Sequence, residues 1–439
     1  MRVLAVSSPI YAHTVNAVPF VVGLQQRGIQ VDRAMATPFV GTGGSVPGGR
    51  WDTGPVADFA SSQGALREVS RRYAWLLEDA GRRLPAILEL IESLRPDVVL
   101  TDSLGYAAAL AAERLDLPWA TFGDGPLHYP DEWTPPFGAG LPYRRERPWV
   151  WRNQVIQAAS RGLIMRTAQR TYAEVRAGIG LPPSATPVLE AALSPHLHLH
   201  CGAPELEYPR QSVPRHVHFV GALRPPAPGS WQRPDWWDAV VGTGGDGETD
   251  GTNGTGLVLG TQGTLRADPA EVLAPTAVAL SRLKLPGILT TGAGDPALLG
   301  GPGLLERPEG PGPQGPGRVA VEAFVPYEAV LPHTSVFVTN GGWTGVLLAL
   351  AHGVPVVQVG RTEEKADIGR RVEWAGAGVH LPSPGRRTDP RPLVRALDTV
   401  STDPAYRRAA SGIAASLAGR DPGRDGAALI EACASRGIG

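Results

Sequence analysis

Short uninterrupted apolar runs alternate along this chain with longer stretches in which apolar residues return every three or four positions. The runs have the length of strands buried on both faces, and the longer stretches have the period of amphipathic helices. Residues 3–6 (Val-Leu-Ala-Val) predict a first strand, residues 15–27 a helix closed by Gly28, and Val31 the opening of a second strand. Residues 66–94 keep helical spacing throughout. Residues 96–101 predict a strand that delivers Asp102 at its end, and residues 117–122 predict another. The pattern then restarts, with a strand at 257–260, a helix at 269–283, strands at 287–291 and 319–324, and a helical tail from Pro390. Strands separated by helices specify parallel sheets covered on both faces. The fold class is α/β, doubly wound.

At 439 residues the chain exceeds one domain, and its 42% hydrophobic content suffices for two cores. The break falls between the two series. Residues 223–229 are proline-rich, and residues 242–256 form a low-complexity Gly/Thr/Asp tract of linker character. The expected division is an N-terminal domain 1–222, a linker 223–256 and a C-terminal domain 257–439, whose final helix is able to return to the first domain. Residues 41–54 are glycine-rich but lack the Lys-Ser/Thr of a phosphate loop, so they read as a surface loop. A net charge of −1 leaves no footprint for nucleic acid or an anionic membrane. Cys201 and Cys433 make no disulfide framework, no basic region precedes the first strand, and no run nears the ~20 apolar residues of a membrane span. A cytoplasmic protein, monomeric or homodimeric, is the expectation.

The densest signal is Val336-Phe-Val-Thr-Asn-Gly-Gly-Trp-Thr-Gly-Val-Leu-Leu-Ala-Leu350, followed by His352-Gly-Val-Pro-Val-Val-Gln-Val359. It predicts a strand, a glycine turn, a helix and a second strand. Gly341 and Gly342 let a ligand approach backbone amides at the positive end of the helix dipole, which makes the turn an anion site. An ordinary turn of a parallel sheet is the alternative. The segment resembles the donor-binding motif of the family-1 glycosyltransferases, the UDP-glycosyltransferase-like enzymes of the GT-B fold. There the turn often reads His-x-Gly-Trp, and Asn340 takes the first position here. The next turn in that family carries an acidic residue followed by Gln. Glu364-Lys365, within Arg361-Thr-Glu-Glu-Lys365, is similar to the Thr-Glu-Asp-Lys form of bacterial natural-product members.

The resemblance implies GT-B architecture, two doubly wound Rossmann-like domains facing a central cleft, with a nucleoside-diphosphate sugar held by the second. The donor set it implies is Thr261, Gln262 and Gly263 after the first strand of that domain, then Asn340, Gly341, Gly342, Thr344, Gly345, Glu364 and Lys365. Phe324 and Val325 join it, because Phe-Val-Pro-Tyr327 is similar to the family's Trp-x-Pro-Gln, where the aromatic stacks on the nucleotide base and the next backbone group reads the base edge. A buried core aromatic is the alternative for Phe324. Eight positions after Asn340, where the family often holds the ribose with Glu or Gln, stands Leu348, expected in the early part of the helix. That substitution favours a dTDP-linked donor over a UDP-linked one.

His13 follows the first strand, in a segment similar to the family's Gly-His-x-x-Pro although Ala12 and Asn16 replace the Gly and the Pro. The resemblance makes it the general base for an attacking hydroxyl, a task suited to a group with pKa near 6.5. Asp102 is then its orienting partner; a simple cap for the following helix is the plain reading, and one residue can do both. Trp133 and Phe137 are candidate acceptor contacts. Trp149 and Trp151 are either further contacts or packing residues. His196-Leu-His-Leu-His200 invites a metal reading, but it lacks the accompanying ligands and reads as an ordinary strand. The chain contains no Asp-x-Asp, so no metal site and no cofactor are expected, and dipoles and side chains are expected to meet the diphosphate charge. The expected activity is inverting transfer of a hexose or deoxyhexose from a dTDP- or UDP-sugar to a small lipophilic natural product. A non-catalytic helper of a partner transferase and a nucleotide-sugar epimerase of the same fold are the alternatives.

Overall fold

Each half of the chain builds a six-stranded parallel sheet in the computed structural model, which describes residues 1–8, 11–34, 66–224, 231–242, 256–263, 270–292, 299, 318–360, 364–382 and 389–436. The glycine-rich tract 41–54, residues 225–229 of the proline-rich stretch, residues 243–255 of the low-complexity tract, Thr264, Pro269 and residues 361–363 lie outside the described residues. Two units are distinguished by their internal contacts. One comprises Met1–Phe137, Tyr143–Pro226 and Arg420–Gly439; the other comprises Gly138–Pro142 and Ala227–Gly419.

In the first unit the elements run β1 (Arg2–Val6), α1 (Tyr11–Gln26), β2 (Gln30–Ala34), α2 (Leu66–Leu94), β3 (Val98–Asp102), α3 (Tyr106–Arg114), β4 (Trp119–Gly123), α4 (Arg147–Ala159), α5 (Arg166–Gly178), β5 (Leu197–His200) and β6 (Val217–Phe219). The sheet order is β2-β1-β3-β4-β5-β6. Alternate residues of β1 serve opposite cores. Val3 and Ala5 pack with Phe20 and Leu24 of α1, whereas Leu4 and Val6 pack with Leu77, Leu84 and Ile87 of α2. A strand buried on both faces has no polar positions, which is why these strands read as unbroken apolar runs. The C-terminal helix, Pro422–Arg436, belongs here, with Ala427, Ile430 and Cys433 in the α1 core. A side chain at Gly23 of α1 would collide with the Gly423 carbonyl, and one at Gly426 would press on the Phe20 ring, so glycines let the two helices meet closely. The described α1 starts at Tyr11, four residues before the helical spacing in the sequence. It is buried on most sides, and a helix buried nearly all round loses the polar face that marks its period.

The second unit runs β7 (Val258–Thr261), α6 (Leu273–Leu283), β8 (Gly287–Thr290), β9 (Val319–Glu322), β10 (Val336–Thr339), α7 (Trp343–Ala351), β11 (Val356–Val359), α8 (Lys365–Trp374), β12 (Gly378–Leu381), α9 (Pro390–Thr402) and α10 (Pro404–Ala418). The tail expected from Pro390 is thus three helices, counting the C-terminal one. Asp389 and Asp403 stop and restart it, each accepting a helix amide, from Arg391 at 3.0 Å and Ala405 at 2.9 Å, with proline in the first turn that follows. The sheet order, β12-β11-β10-β7-β8-β9, is the arrangement of dinucleotide-binding sheets. Each sheet has one place where the winding reverses. It lies between β1 and β3 in the first and between β7 and β10 in the second, and such switch points are where open α/β sheets bind ligands.

Candidate active site

His13 stands in the first turn of α1, directly beyond the switch point of the first sheet. β3 ends beside β1, with Val6 opposite Thr101, so the residue after Thr101 reaches the same edge. That residue is Asp102, fully buried, and its Oδ1 lies 3.0 Å from His13 Nδ1. The carboxylate also accepts the Ser8 amide at 2.6 Å and the Leu104 amide at 2.9 Å. Burial alone raises a carboxyl pKa. The nearby His13 and the two amides outweigh it here and hold Asp102 below the usual carboxylate value. An ionised Asp102 accepts the Nδ1 proton, which leaves Nε2 on the far edge of the ring as the nitrogen able to take a proton. The capping alternative for Asp102 does not hold: Gly105 occupies the N-cap of α3 without a side-chain bond, and Asp102 instead closes a local turn through Leu104.

A second carboxylate reaches the same imidazole, and sequence reasoning missed it. Asp124, just past β4, places Oδ2 3.3 Å from His13 Nδ1 and accepts from Asn16 Nδ2 at 3.0 Å. Only the pairing of β3 with β4 brings it here, and a lone Asp between glycines carries no signature.

At the switch point of the second sheet two turns meet. Asn340 donates through Nδ2 to the Gln262 carbonyl, binding the turn after β10 to the turn after β7. One hydrogen of that amide nitrogen thus serves the scaffold. Gln262 is buried, and among the described residues neither atom of its side-chain amide has a partner. Thr261 accepts from Tyr327 Oη at 3.3 Å, and Gly263 lies against Asn340 with φ of +80°. Gly341 has φ of +98°, and a side chain there would run into Gln358. The Gly341 amide goes to Thr339 Oγ1 at 3.2 Å. Gly342 is the N-cap of α7 with open space around it and adds no side-chain cap, so the positive end of the helix dipole lies at this turn.

The turn rests on a buried polar network that the sequence hinted at through one glutamine in an apolar strand. Gln358 of β11 donates Nε2 to the carbonyls of Asn340 at 3.1 Å and Gly360 at 3.3 Å. Its Oε1 must then accept, and His380 Nδ1 of β12 is the donor. Burial, with a smaller contribution from Arg370, lowers the His380 pKa to about 4 and keeps the ring neutral.

The remaining expected residues are dispersed. Phe324 is 55% exposed just beyond β9, which excludes the buried-core alternative, and Val325 beside it is buried. Glu364 is the N-cap of α8 and Lys365 opens it, with the lysine buried. Asp367, two residues on, accepts the amides of Gly138 and Gly140, the latter at 2.7 Å. Leu348 is the sixth of nine residues in α7 and only 4% exposed, not in the early part of the helix. Trp133 lies under the Arg145 guanidinium at 4.3 Å, and Trp149 under Arg152 at 4.7 Å, so arginines stack on both rings. Phe137 packs on His128, and Trp151 is 69% exposed on α4. The His run is strand β5 with its preceding residue. His198 Nδ1 sits 3.2 Å from Thr121 Oγ1, and His200 Nε2 lies 3.4 Å from Glu207. Among the described residues no cluster of metal-ligating type occurs, and no helix is long and apolar enough to cross a membrane.

Comparison with known proteins shows the family and the fold. Residues 313–426 match the family described as "Erythromycin biosynthesis protein CIII-like, C-terminal domain". The chain is 36% identical over 356 residues to 4'-demethylrebeccamycin synthase of Lentzea aerocolonigenes, covering 81% of this chain and 78% of that one. It is 28% identical to demethyllactenocin mycarosyltransferase of Streptomyces fradiae, over 70% of this chain and 57% of that one. The spinosyn rhamnosyltransferase solved with thymidine diphosphate superposes with a TM-score of 0.64 at 20% identity, covering 98% and 99% of the two chains. Glycosyltransferase VinC, solved with dTDP, gives 0.65 at 17% identity over the whole of both chains, which establishes the GT-B fold. The chain belongs to the family-1, UDP-glycosyltransferase-like enzymes of bacterial natural-product type and is a glycosyltransferase.

Proposed function

We propose that this glycosyltransferase inverts the anomeric centre as it moves a hexose or deoxyhexose from a dTDP- or UDP-sugar to a hydroxyl of a small lipophilic acceptor. The observation that carries the reading is His13 Nδ1 at 3.0 Å from a buried, ionised Asp102. His13 Nε2 takes the acceptor proton while the acceptor oxygen attacks the anomeric carbon and the bond to the diphosphate breaks. Asp102 keeps the required tautomer and stabilises the imidazolium that forms. One in-line displacement without a protein nucleophile inverts the configuration.

The second unit is the donor side of the reading. The N-terminus of α7 meets the charge on the leaving diphosphate, and the buried Gln262 amide gains partners from oxygens of the sugar nucleotide. The exposed Phe324 ring offers a face to the nucleotide base. Glu364 and Lys365 serve sugar hydroxyls and phosphate. The first unit receives the acceptor, with Phe137 and the edge of Trp133 as contacts. A dTDP preference finds support in the thymidine diphosphate bound by two fold neighbours. Leu348 offers no hydrogen bond to a ribose hydroxyl. Matched dTDP- and UDP-glucose check this, and the higher kcat/KM is expected with dTDP-glucose.

The test is His13→Ala. Turnover should fall by about 10²-fold or more, the usual contribution of a general base, with donor affinity retained. A variant that turns over at the original rate removes His13 from the mechanism.

A further inference from the structure

We propose that Asp124 is a second positioning residue for His13, so that the base is held by a pair of carboxylates from adjacent strands. The inference rests on the reading of His13 as the base. β4 pairs with β3 so that Phe122 lies opposite Asp102, and two residues later Asp124 turns back toward α1. Its Oδ2 lies 3.3 Å from His13 Nδ1, against 3.0 Å for Asp102 Oδ1. Asn16, one helical turn after His13, donates Nδ2 to the same Oδ2 at 3.0 Å, and Ser103 Oγ donates to Oδ1 at 3.5 Å. Asn16 and Ser103 are themselves buried, so the Asp124 carboxylate is anchored from two elements. The chain can bend sharply there, because glycines flank the residue. A side chain at Gly123 would sit 2.8 Å from His198 Nε2.

Two carboxylates on one ring nitrogen do what one does not. With a neutral imidazole they share a single Nδ1 proton and repel each other. Once the ring takes the acceptor proton, both face a full positive charge, so the second carboxylate adds more to the transition state than to the resting enzyme. Among the described residues, Asp102 at the end of β3 and Asp124 after β4 are charged groups that face the ring. The Cys201 thiol near Asp124 is pushed up by burial and stays neutral.

Asp124→Asn tests this directly, since it removes the charge and keeps the shape. The Asn Oδ1 accepts from Asn16, and its Nδ2 faces the Ser103 hydroxyl, which can accept. The readout is the titration of His13 in the intact protein without substrate, followed by NMR on histidine-labelled material and assigned by loss of the signal in His13→Gln. Loss of a counter-charge at this distance should lower the His13 midpoint by about one pH unit, and the acid limb of kcat/KM should move down by the same amount. A His13 midpoint unchanged in folded Asp124→Asn overturns the role of Asp124, while the base stands if His13→Ala still loses turnover. Full turnover in His13→Ala overturns the base and this inference with it. Should Asp124→Asn fail to fold, Asp124→Ser read by the same titration decides, with the same two outcomes.

Discussion

His380 and Asp102 show how differently two buried titratable groups are handled in one chain. Asp102 keeps its charge in the interior because two backbone amides and an imidazole surround it. His380 is kept neutral by burial and, to a smaller degree, by Arg370, with a pKa of about 4 against 6.5 for the unperturbed ring. Between those values the unfolded chain binds a proton that the folded chain does not. The contribution is therefore complete above about pH 6.5 and is lost as the pH falls toward 4, at up to ~1.4 kcal/mol per pH unit. His380→Asn keeps a donor toward Gln358 and cannot titrate. Chemical denaturation of the two proteins from pH 7 to 4.5 should show the wild type losing stability faster, and parallel curves would refute this account of His380. At this scale the sequence was legible where a residue belonged to a local pattern. His13 and Asp102 follow strands in recognisable segments, whereas Asp124 and His380 matter only through strand pairings. Leu348 follows from counting eight positions past Asn340, and the count does not report which way a helix faces.

Among the elements, the turn between β10 and α7 is the most constrained. Gly341 takes a positive φ directly above the Gln358 side chain, and Gln358 in turn holds the Asn340 carbonyl. An alanine there meets both a strained backbone and a filled volume, and the turn must shift to accept it. Gly341→Ala should cost about 1–3 kcal/mol of stability and abolish the thermal upshift given by UDP or dTDP. Retention of the full upshift would show that nucleotide binds elsewhere. This turn could be read from the sequence because its glycines sit between an apolar strand and an apolar helix. The start of α1 could not, since a helix buried on most sides shows no polar face. The division of the tail into separate helices was equally hidden, although Asp389-Pro390 and Asp403-Pro404 mark it plainly once capping is considered.

For the whole molecule, two parallel sheets place their chemistry at the two points where the winding reverses. β1 and β3 bring together His13 and Asp102, and β7 and β10 bring together the Gln262 and Asn340 turns. The apolar runs specified both sheets, but strand order lies in the crossovers and leaves no mark in any one run. The return of the C-terminal helix to the first unit depends on glycines in two distant helices, Gly23 and Gly423, which only the packing connects. The reaction proposed at the first of these points is single-displacement transfer with His13 as base. Its most direct test is the anomeric configuration, by NMR, of product made from dTDP-α-D-glucose or UDP-α-D-glucose with a panel of polycyclic phenols and macrolactones. A β-glucoside is the predicted product, with its formation lost in His13→Ala; an α-glucoside would mean retention and rule out a single displacement.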